Sequence, residues 1–425
     1  MRATADPVTT RPASTGTATN KRLTVMKRPP YRRWLPISDR QVGPIGRSPV
    51  GVVVALALAL MLWHGGFRSP AQVAFAAVAA IGLLLCGGAW RLGALMLGLT
   101  LSAVAMTASG AWHHDTASIA PVMAAIALPV LVAVAIRAGP SSKLVSDLPL
   151  VVALLGATAA TTGLAGLVLR APPLAERIAG VWRAQGTLEY PPALGLVCVC
   201  ALAAMLALHA QGTIDRPSAI ALGGLLAGTA VATFDRVAWI ETATVLALFA
   251  GRVIAVRRTV ALVVGVSIGC ALVAIAISHP SRAALERHLR HGPVSSRGHV
   301  WHAAGDAFIE RPVIGYGPGQ FRAIYDAPDP TARIGLAHNA VLEQAVEGGV
   351  IAAAGSALAL LAMLAAGVRS LASREPARLS AAVAASAIAL SGLYDITWSF
   401  PPLLLLGAIS AVACRTASAS TRLGV

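Results

Sequence analysis

Three arginines of this chain stand where a phosphate group could be bound. Arg183, Arg236 and Arg297 each lie in a polar segment that adjoins a long apolar run. The planar guanidinium group donates two parallel hydrogen bonds, which suits it to phosphate oxygens. One loop arginine is usually only solvated. Three arginines that flank membrane spans on the same side would instead indicate a pocket for a lipid-linked phosphate.

A histidine lies beside a polar stripe near the start of a later apolar run. Asn339, Glu343 and Glu347 are spaced four residues apart, which places them on one face of a helix. We expect His338 at the first turn of that helix, where the helix-end potential lowers the pKa of the imidazole and the carboxylates raise it. A neutral imidazole can accept a proton, as a general base must. The alternative interpretation is an N-terminal cap with polar contacts between helices.

Charged residues also interrupt the apolar stretch 217–254, at Asp235, Arg236 and Glu241. Ionisable groups at membrane depth are costly, so each of them is a functional candidate. Arg236 could grip an anion at the lipid boundary. The alternative is that Asp235 and Arg236 neutralise each other as the cap of a re-entrant hairpin.

Motifs for metal or nucleotide chemistry are few. His113-His114-Asp115 is a possible metal cluster, but no third ligand follows at a suitable spacing. The chain has no Walker A, HExxH or GxSxG motif. We therefore predict no metal site and no cofactor.

The composition indicates which elements must carry these residues. Of the 425 residues, 56% are hydrophobic and 12% are charged, whereas soluble domains average about 25% charged residues. These values exclude an ordinary soluble enzyme and a disordered chain. Ala, Leu, Val and Gly are abundant, which favours helices over barrel strands. The net charge of +16 is interpreted as a topology signal rather than as a surface for nucleic acid.

Apolar runs of about 16–23 residues recur after residue 48, and this is the length that a membrane helix needs. We predict an all-α polytopic membrane protein with about twelve transmembrane helices and one large extracytoplasmic loop between helices 9 and 10. The predicted spans lie near 49–66, 71–90, 92–110, 118–136, 148–169, 191–209, 217–233, 237–254, 259–278, 340–367, 378–396 and 401–414.

Positive charges set the expected orientation of these spans. With the N-terminus inside, the short inner loops carry ten Lys and Arg residues and the short outer loops carry five. The positive-inside rule then places both termini in the cytoplasm. We expect five parts in the chain. A disordered basic tail at anionic membrane lipids covers 1–48, and spans 1–9 cover 49–278. A large extracytoplasmic loop covers 279–339, spans 10–12 cover 340–414, and a short cytoplasmic tail covers 415–425.

The loop at 279–339 is long for a connection between spans, and loops of this length are often functional. Its stretch 299–311 carries apolar residues at helical spacing, which predicts an amphipathic helix that lies flat on the outer surface. Pro312 ends this helix, and the glycines within 315–319 then force a turn.

The motifs of this loop and of the following span resemble those of the O-antigen ligase and O-antigen polymerase superfamily of bacterial envelope glycosyltransferases. Arg297-Gly298, followed by Trp301 and by PVIGYGPGQF at 312–321, is similar to the family's R…W…P-x-x-G-x-G-x-x-x-F run. His338-Asn339, followed by Glu347-Gly348-Gly349, is similar to its HN…E-x-G opening of the next span.

Two further segments resemble the family, with one departure each. Arg183 with GTLEYPPA at 186–193 is similar to a G-x-x-x-x-P-N-x-x-A segment, with Pro192 in the place of Asn. Asp235-Arg236 is similar to an S-R step between two spans, with Asp235 in the place of Ser. The likeness covers about residues 180–400.

This resemblance implies a GT-C-like membrane glycosyltransferase whose donor is an undecaprenyl-diphosphate-linked glycan. The glycan would pass to a lipid or glycan acceptor at the outer face of the bacterial cytoplasmic membrane, without nucleotide or metal. Arg236 and Arg297 would hold the diphosphate, with Arg183 and Asn339 as further substrate-binding residues. His338 would activate the acceptor hydroxyl or position the leaving phosphate.

Alternative functions stay open at this point. A ligase and a polymerase of the family differ only in the acceptor, which is a lipid anchor or protein for one and another repeat unit for the other. Outside the family, a transporter or flippase of lipid-linked glycans would line a path through the bilayer with charged residues. A structural or sensory membrane protein would leave the long loop and its arginines without a role.

Overall fold

The computed structural model describes residues 49–89, 93–137, 143–178, 180–278, 286, 297–325 and 335–420. The predicted basic tail at 1–48 lies outside the described residues, as does most of 279–296. All helix and strand bounds below refer to the described residues.

An α-helix lies at each of the twelve positions where a span is predicted. These helices, with two in the loop between the ninth and tenth spans, are α1 (Pro49–Ala59), α2 (Ser69–Cys86), α3 (Ala94–His113), α4 (Ile119–Arg137), α5 (Lys143–Leu169), α6 (Pro191–Ala210), α7 (Arg216–Ala232), α8 (Arg236–Arg252), α9 (Arg257–Ser278), α10 (Gly298–Glu310), α11 (Phe321–Ile324), α12 (Ala340–Ser370), α13 (Pro376–Ser391) and α14 (Pro401–Ser420).

Seven helical segments among the described residues are long and apolar enough to cross a membrane, and they contain α2, α3, α4, α5, α6, α9 and α12. Three shorter apolar helices lie at Pro49–Leu62, Pro376–Ser391 and Pro401–Arg415. A helical, polytopic membrane protein is thus supported, while the count of twelve spans stays a prediction.

The centre of the bundle is α6, whose side chains are almost all buried. It packs against α5, α7, α8 and α13. A second tight contact joins α3 and α12, where Gly98 and Gly355 face each other so closely that a Cβ on either would meet the backbone of the other helix. Small residues allow such close helix contacts inside a membrane.

A short β-hairpin joins α5 to α6. Its strands are β1 (Ala175–Ile178) and β2 (Val181–Ala184), which pair antiparallel with Glu176 opposite Arg183. The hairpin lies in the polar segment 170–190 and adds a small sheet to an otherwise helical chain. It fixes the direction of β2, and therefore of Arg183, just before α6 begins.

The helix α12 is broken at Gly349, which adopts a left-handed φ of 74°. Two carbonyl groups on the preceding turn accept hydrogen bonds from the glycine-rich loop: Tyr316 N–H donates to Val346 (2.8 Å) and Gly317 N–H donates to Glu347 (3.0 Å). The amide of Val350 in turn donates to the carbonyl of Pro312 (2.8 Å). The turn that the sequence predicts at 315–319 is therefore docked on the break in α12.

Side chains hold this loop from two further directions. The carboxylate of Glu347 accepts the backbone N–H groups of Gly319 and Phe321. From the turn between α3 and α4, His113 Nε2 donates to the carbonyl of Gly315 (3.1 Å) and Ser118 Oγ donates to that of Pro318 (3.0 Å). The loop is thus a fixed part of the bundle end.

The amphipathic helix predicted at 299–311 is confirmed by α10. Val300 and Ala304 are buried in a small apolar cluster with Phe321 of α11 and Val346 of α12. The packing of α10 on α12 therefore determines the position of Arg297, which lies directly before α10.

Two predicted spans end earlier than expected. The helix expected over 378–396 stops at Ser391, and residues 392–396 form a turn. The run predicted as 49–66 loses its α-helix after Ala59 and bends at Gly65 and Gly66, both in the left-handed region. Apolar composition alone did not reveal these bends.

We predict that Gly349→Ala releases the glycine-rich loop from α12. A Cβ at this position would meet the carbonyl of Val313, and left-handed φ in a non-glycine residue costs of order 1–3 kcal/mol. Hydrogen–deuterium exchange should become faster at the amides of Tyr316 and Gly317. The matched control is Gly269→Ala in α9, where an added Cβ meets nothing within 4 Å. Unchanged exchange at both amides in the Gly349 variant would contradict this role of the break.

Candidate active site

A buried carboxylate joins three segments at one end of the bundle. Asp395 lies in the turn between α13 and α14 and is 3% exposed. Tyr190 Oη donates to Asp395 Oδ1 (2.6 Å), and Arg297 Nη2 donates to Asp395 Oδ2 (3.2 Å). Burial raises the pKa of Asp395, while the charge of Arg297 and the hydrogen bond from Tyr190 act in the opposite direction. Arg297, directly before α10, is thereby tied to Tyr190, directly before α6.

The hairpin brings a second arginine to the same place. Arg183 Nε donates to the carbonyl of Thr233 (2.6 Å), at the C-terminal end of α7. Burial lowers the pKa of Arg183, and the negative charges of Asp235 and Asp395 counteract that effect. Arg183 thus lies half-buried between the α7–α8 turn and the turn that carries Asp395.

The α7–α8 turn supplies the next two charges. Asp235 is the N-cap of α8 and accepts the backbone N–H of Val237 (3.2 Å). Burial, followed by the charge of Asp395, raises the pKa of Asp235, and Arg183 lowers it. Arg236 begins α8 and lies close enough to Arg183 for its positive charge to lower the pKa of that group. Asp235 is therefore the N-cap of α8, and it also takes part in a larger charge cluster.

His338 is placed differently from the sequence prediction. The helix α12 begins at Ala340 with Asn339 as its N-cap, so the expectation that His338 lies in the first helical turn is wrong. His338 precedes the cap, in the left-handed region with φ of 52°. Burial first, and the charge of Arg297 second, lower the pKa of His338 to about 4. The imidazole is therefore neutral at physiological pH, for reasons other than the predicted helix-end potential.

The polar stripe of α12 holds the site together. Asn339 Oδ1 accepts the N–H groups of Val341 and Leu342, and Asn339 Nδ2 donates to the carbonyl of Leu393 (2.9 Å). Glu343 accepts a hydrogen bond from Ser399 Oγ (3.0 Å). The structure gives Asn339 a positioning role between His338 and the Asp395 turn; its predicted contact with substrate stays a prediction.

Several buried polar atoms of these segments have no hydrogen-bond partner among the described residues. They include one nitrogen of Arg297, Nη1, and the Nδ1 atom of His338. The indole Nε1 of Trp301, one turn along α10 from Arg297, shares this property. Buried polar groups are nearly always hydrogen-bonded in folded proteins, and a bound ligand or an ordered water can supply the partners of these atoms.

Four site residues predicted from the sequence are brought together here. The charge of Arg236 lowers the pKa of Arg183, and the charge of Arg297 lowers the pKa of His338. The carboxylate of Asp395 interacts by charge with Arg183 and accepts a hydrogen bond from Arg297. They come from the α7–α8 turn, the hairpin, the start of α10 and the residue before the cap of α12. Their convergence at one end of the bundle agrees with the side that charge counting gives to all four segments.

Sequence reasoning missed Asp395 and Tyr190. Asp395 was placed inside a predicted span, where a lone carboxylate in an apolar run is itself a signal of function. Tyr190 was noted only as a neighbour of Arg183. Their pairing could not be predicted, because 205 residues separate them.

Metal binding receives no support from the described residues, among which no group of three or more His, Cys, Asp or Glu side chains could hold a metal ion. His113 and Asp115, considered as a metal cluster, instead hold the glycine-rich loop at Gly315 and Gln320.

Residues 221–357 match the family model described as O-antigen ligase. This region is similar to the O-antigen ligase family. The match confirms the resemblance to the O-antigen ligase and polymerase superfamily drawn from the sequence motifs, and the long apolar helices indicate an integral membrane protein. No curated protein matches the chain.

The matched region contains Arg236, Arg297 and His338, whereas Arg183 and Asp395 lie outside it. The site therefore combines side chains from the matched region with others that precede and follow it.

We predict that His338 stays neutral down to about pH 4 and that Arg297→Gln raises its pKa. Loss of the neighbouring positive charge favours the imidazolium, but burial remains, so the pKa should stay below its usual value of about 6.5. Nuclear magnetic resonance of ring-labelled histidine, with His338→Gln to assign the signal, measures both values. A wild-type pKa near 6.5, or no upward shift in the variant, would refute this electrostatic account.

We further predict that Asp395→Asn lowers the thermal unfolding midpoint, since it leaves Arg297 buried without its ion pair. Breaking a buried pair from one side costs about 3–5 kcal/mol. Adding Arg297→Gln should recover part of the loss, because no unpaired charge then remains. The control, Asp215→Asn at the exposed N-cap of α7, should cost less. Additive losses in the double variant would show that the two residues do not interact.

Proposed function

We propose that this O-antigen ligase-type enzyme transfers a glycan from a polyprenyl diphosphate carrier to an acceptor hydroxyl, with ligation to a lipid anchor as the preferred reaction. The observation that carries the proposal is the orphaned Arg297 Nη1 beside the orphaned, neutral His338. Arg297 Nη1 can donate a hydrogen bond to an anion, and the neutral imidazole of His338 can accept a proton.

The charge balance of the site favours an anionic ligand. Three guanidinium groups, of Arg183, Arg236 and Arg297, meet the carboxylates of Asp235 and Asp395, with the carboxylate of Glu241 nearby. Burial disfavours the charged form of these carboxylates, so they neutralise the arginines only in part. A diphosphate would supply the negative charge that this cluster lacks. Its oxygens would also satisfy donors that the protein leaves unpaired.

The proposed reaction uses these groups as follows. The acceptor oxygen attacks the anomeric carbon of the first sugar, and the bond from that carbon to the diphosphate oxygen breaks. The hydroxyl proton passes to the imidazole of His338, and the polyprenyl diphosphate leaves with the electron pair. Arg297 and Arg236 stabilise the negative charge that develops on the leaving group. This stabilisation is strongest in a water-poor site.

The distribution of buried charge favours a transferase over a transporter. The most deeply buried carboxylates among the described residues are Glu343, Glu347 and Asp395, and all three lie near the same end of the bundle. A path for a charged substrate through the bilayer would need such groups along its length. The same geometry fits a polymerase of the family, for which the acceptor is another glycan repeat unit.

We predict distinct losses for two variants in reconstituted vesicles. His338→Ala should lower the transfer rate by about 10²–10⁴ and leave the affinity for the donor nearly unchanged. Arg297→Ala should lower the rate by about 10²–10³ and also weaken donor binding, because the phosphate contact exists before the transition state. Transfer of a labelled glycan and binding of a labelled polyprenyl diphosphate are measured separately.

Matched controls lie at the opposite end of the bundle. His209→Ala at the end of α6 and Arg252→Ala at the end of α8 remove the same side chains far from the site and should retain transfer. Full activity of His338→Ala would exclude it as the base. With one donor, attachment to a lipid acceptor supports the ligase, whereas chains lengthened only by repeat units would establish the polymerase.

A further inference from the structure

The loop that joins α1 to α2 contacts the candidate active site, although it lies outside the residues that match the family model. After α1 the backbone turns at three successive residues in the left-handed region, with φ of 51°, 66° and 74° at His64, Gly65 and Gly66. A Cβ on Gly65 would meet the ring of Phe400 at 2.5 Å, and one on Gly66 would meet Pro402 at 2.6 Å. The α1–α2 loop therefore packs directly against the start of α14.

Glu189, in the segment before α6, faces this loop with its side chain. One oxygen of its carboxylate accepts a hydrogen bond from His64 Nδ1, and the other accepts one from Arg68 Nη2 (2.5 Å). Only 17% of the Glu189 side chain is exposed. Both oxygens of this carboxylate are thus engaged by the α1–α2 loop.

The two residues that meet here share a costly backbone conformation. Glu189 has a φ of 57°, and His64, its hydrogen-bond partner, has one of 51°. A left-handed φ in a residue other than glycine persists only where the surrounding contacts impose it. The hydrogen bonds with the loop supply such contacts for Glu189, so their loss would allow its backbone to relax.

The backbone of Glu189 sets the direction of the next residue, Tyr190. Tyr190 is the N-cap residue of α6, and its hydroxyl group donates to Asp395 Oδ1 (2.6 Å). The second oxygen of Asp395 accepts the hydrogen bond from Arg297 (3.2 Å). A rotation at Glu189 would therefore displace the phenol from Asp395 and change the surroundings of Arg297.

An aromatic contact connects the loop with Tyr190 from a second direction. The ring of Phe400 stacks on Tyr190 with 5.9 Å between the centroids, and it packs against Phe67 of the loop with 5.4 Å between the centroids. Phe400 is itself buried. The α1–α2 loop thus reaches Tyr190 by hydrogen bonds through Glu189 and by ring packing through Phe400.

We propose that Glu189, held by the α1–α2 loop, is a positioning residue for glycan transfer. It fixes Tyr190 so that Asp395 keeps Arg297 oriented towards the diphosphate of the donor. This inference rests on the proposed role of Arg297 in donor binding. The first two helices then contribute to the site through their connecting loop, and not only to the membrane frame.

A cycle of variants in reconstituted vesicles tests this role. Glu189→Gln removes the charge that the loop binds, and Tyr190→Phe removes the hydrogen bond to Asp395. We expect each change to lower the transfer rate about ten-fold, as the loss of one hydrogen bond to a charged group does, and to weaken binding of labelled polyprenyl diphosphate. The double variant should be no slower than the slower single variant, because both changes act through one contact. Losses that multiply in the double variant would overturn the proposal.

Hydrogen–deuterium exchange separates a failure of this inference from a failure of the proposed function. The amide of Leu194 donates to the carbonyl of Tyr190 (3.1 Å) in the first turn of α6, so its exchange should become several-fold faster in Glu189→Gln. Unchanged exchange and transfer in that variant would contradict the inference alone. Normal donor binding by Arg297→Ala would instead contradict the proposed function, whatever the exchange at Leu194.

Two substitutions of Arg68 and one distant control complete the test. Arg68→Gln should lower the transfer rate in the same way as Glu189→Gln, whereas Arg68→Lys keeps the positive charge and should recover most of the activity. The thermal unfolding midpoint should change little, since ion pairs with an exposed partner contribute little to stability. The control is Glu375→Gln, an exposed carboxylate before the far end of α13. An equal loss of transfer in this control would reduce the effect to general surface charge and overturn the proposal.

Discussion

The break in α12 at Gly349 is the constraint on which the active-site end of this protein depends. An unbroken helix would use the carbonyls of Val346 and Glu347 internally, and the glycine-rich loop would have no backbone partners there. Because those carbonyls accept N–H groups from Tyr316 and Gly317, the loop is fixed on α12. The loop joins α10 to α11, and the packing of α10 on α12 then directs Arg297 towards the turn that carries Asp395.

The charges at this end interact closely with one another. Asp395 partly neutralises Arg297 and interacts with Arg183, yet burial disfavours its own charge. A buried ion pair is a poor source of stability but a strong constraint on geometry. Preorganised guanidinium groups of this kind can stabilise an anion without rearranging first.

Much of the helical frame could be predicted, because apolar runs in a membrane protein map directly onto helices. The arginines and His338 could also be identified from the sequence, since a charged residue beside an apolar run is costly and therefore informative. The hairpin at 175–184, by contrast, has no hydrophobic pattern long enough to indicate strands. The position of His338 outside α12 depends on which residue caps that helix, and Asn339 is the N-cap through its hydrogen bonds with the N–H groups of Val341 and Leu342.

The partners of the predicted residues were harder to foresee than the residues themselves. Asp395 contacts Tyr190 and Arg297, which are far from it along the chain. Contacts of this kind follow from how helices pack, and the linear pattern of one sequence does not contain them. The bends at Gly65 and after Ser391 belong to the same class, because each is determined by the segment against which it packs.

The late position of Asp395 in the chain has a consequence for biosynthesis. A membrane protein is inserted from its N-terminus, so Arg183 and Arg297 reach the membrane well before the turn between α13 and α14 is synthesised. Until then, neither arginine has the carboxylate that joins them in the finished protein. The cluster can assemble only when α13 and α14 enter the bundle, so a chain truncated before them has no complete site. Synthesis of these two helices thus completes a charge cluster whose arginines are inserted much earlier.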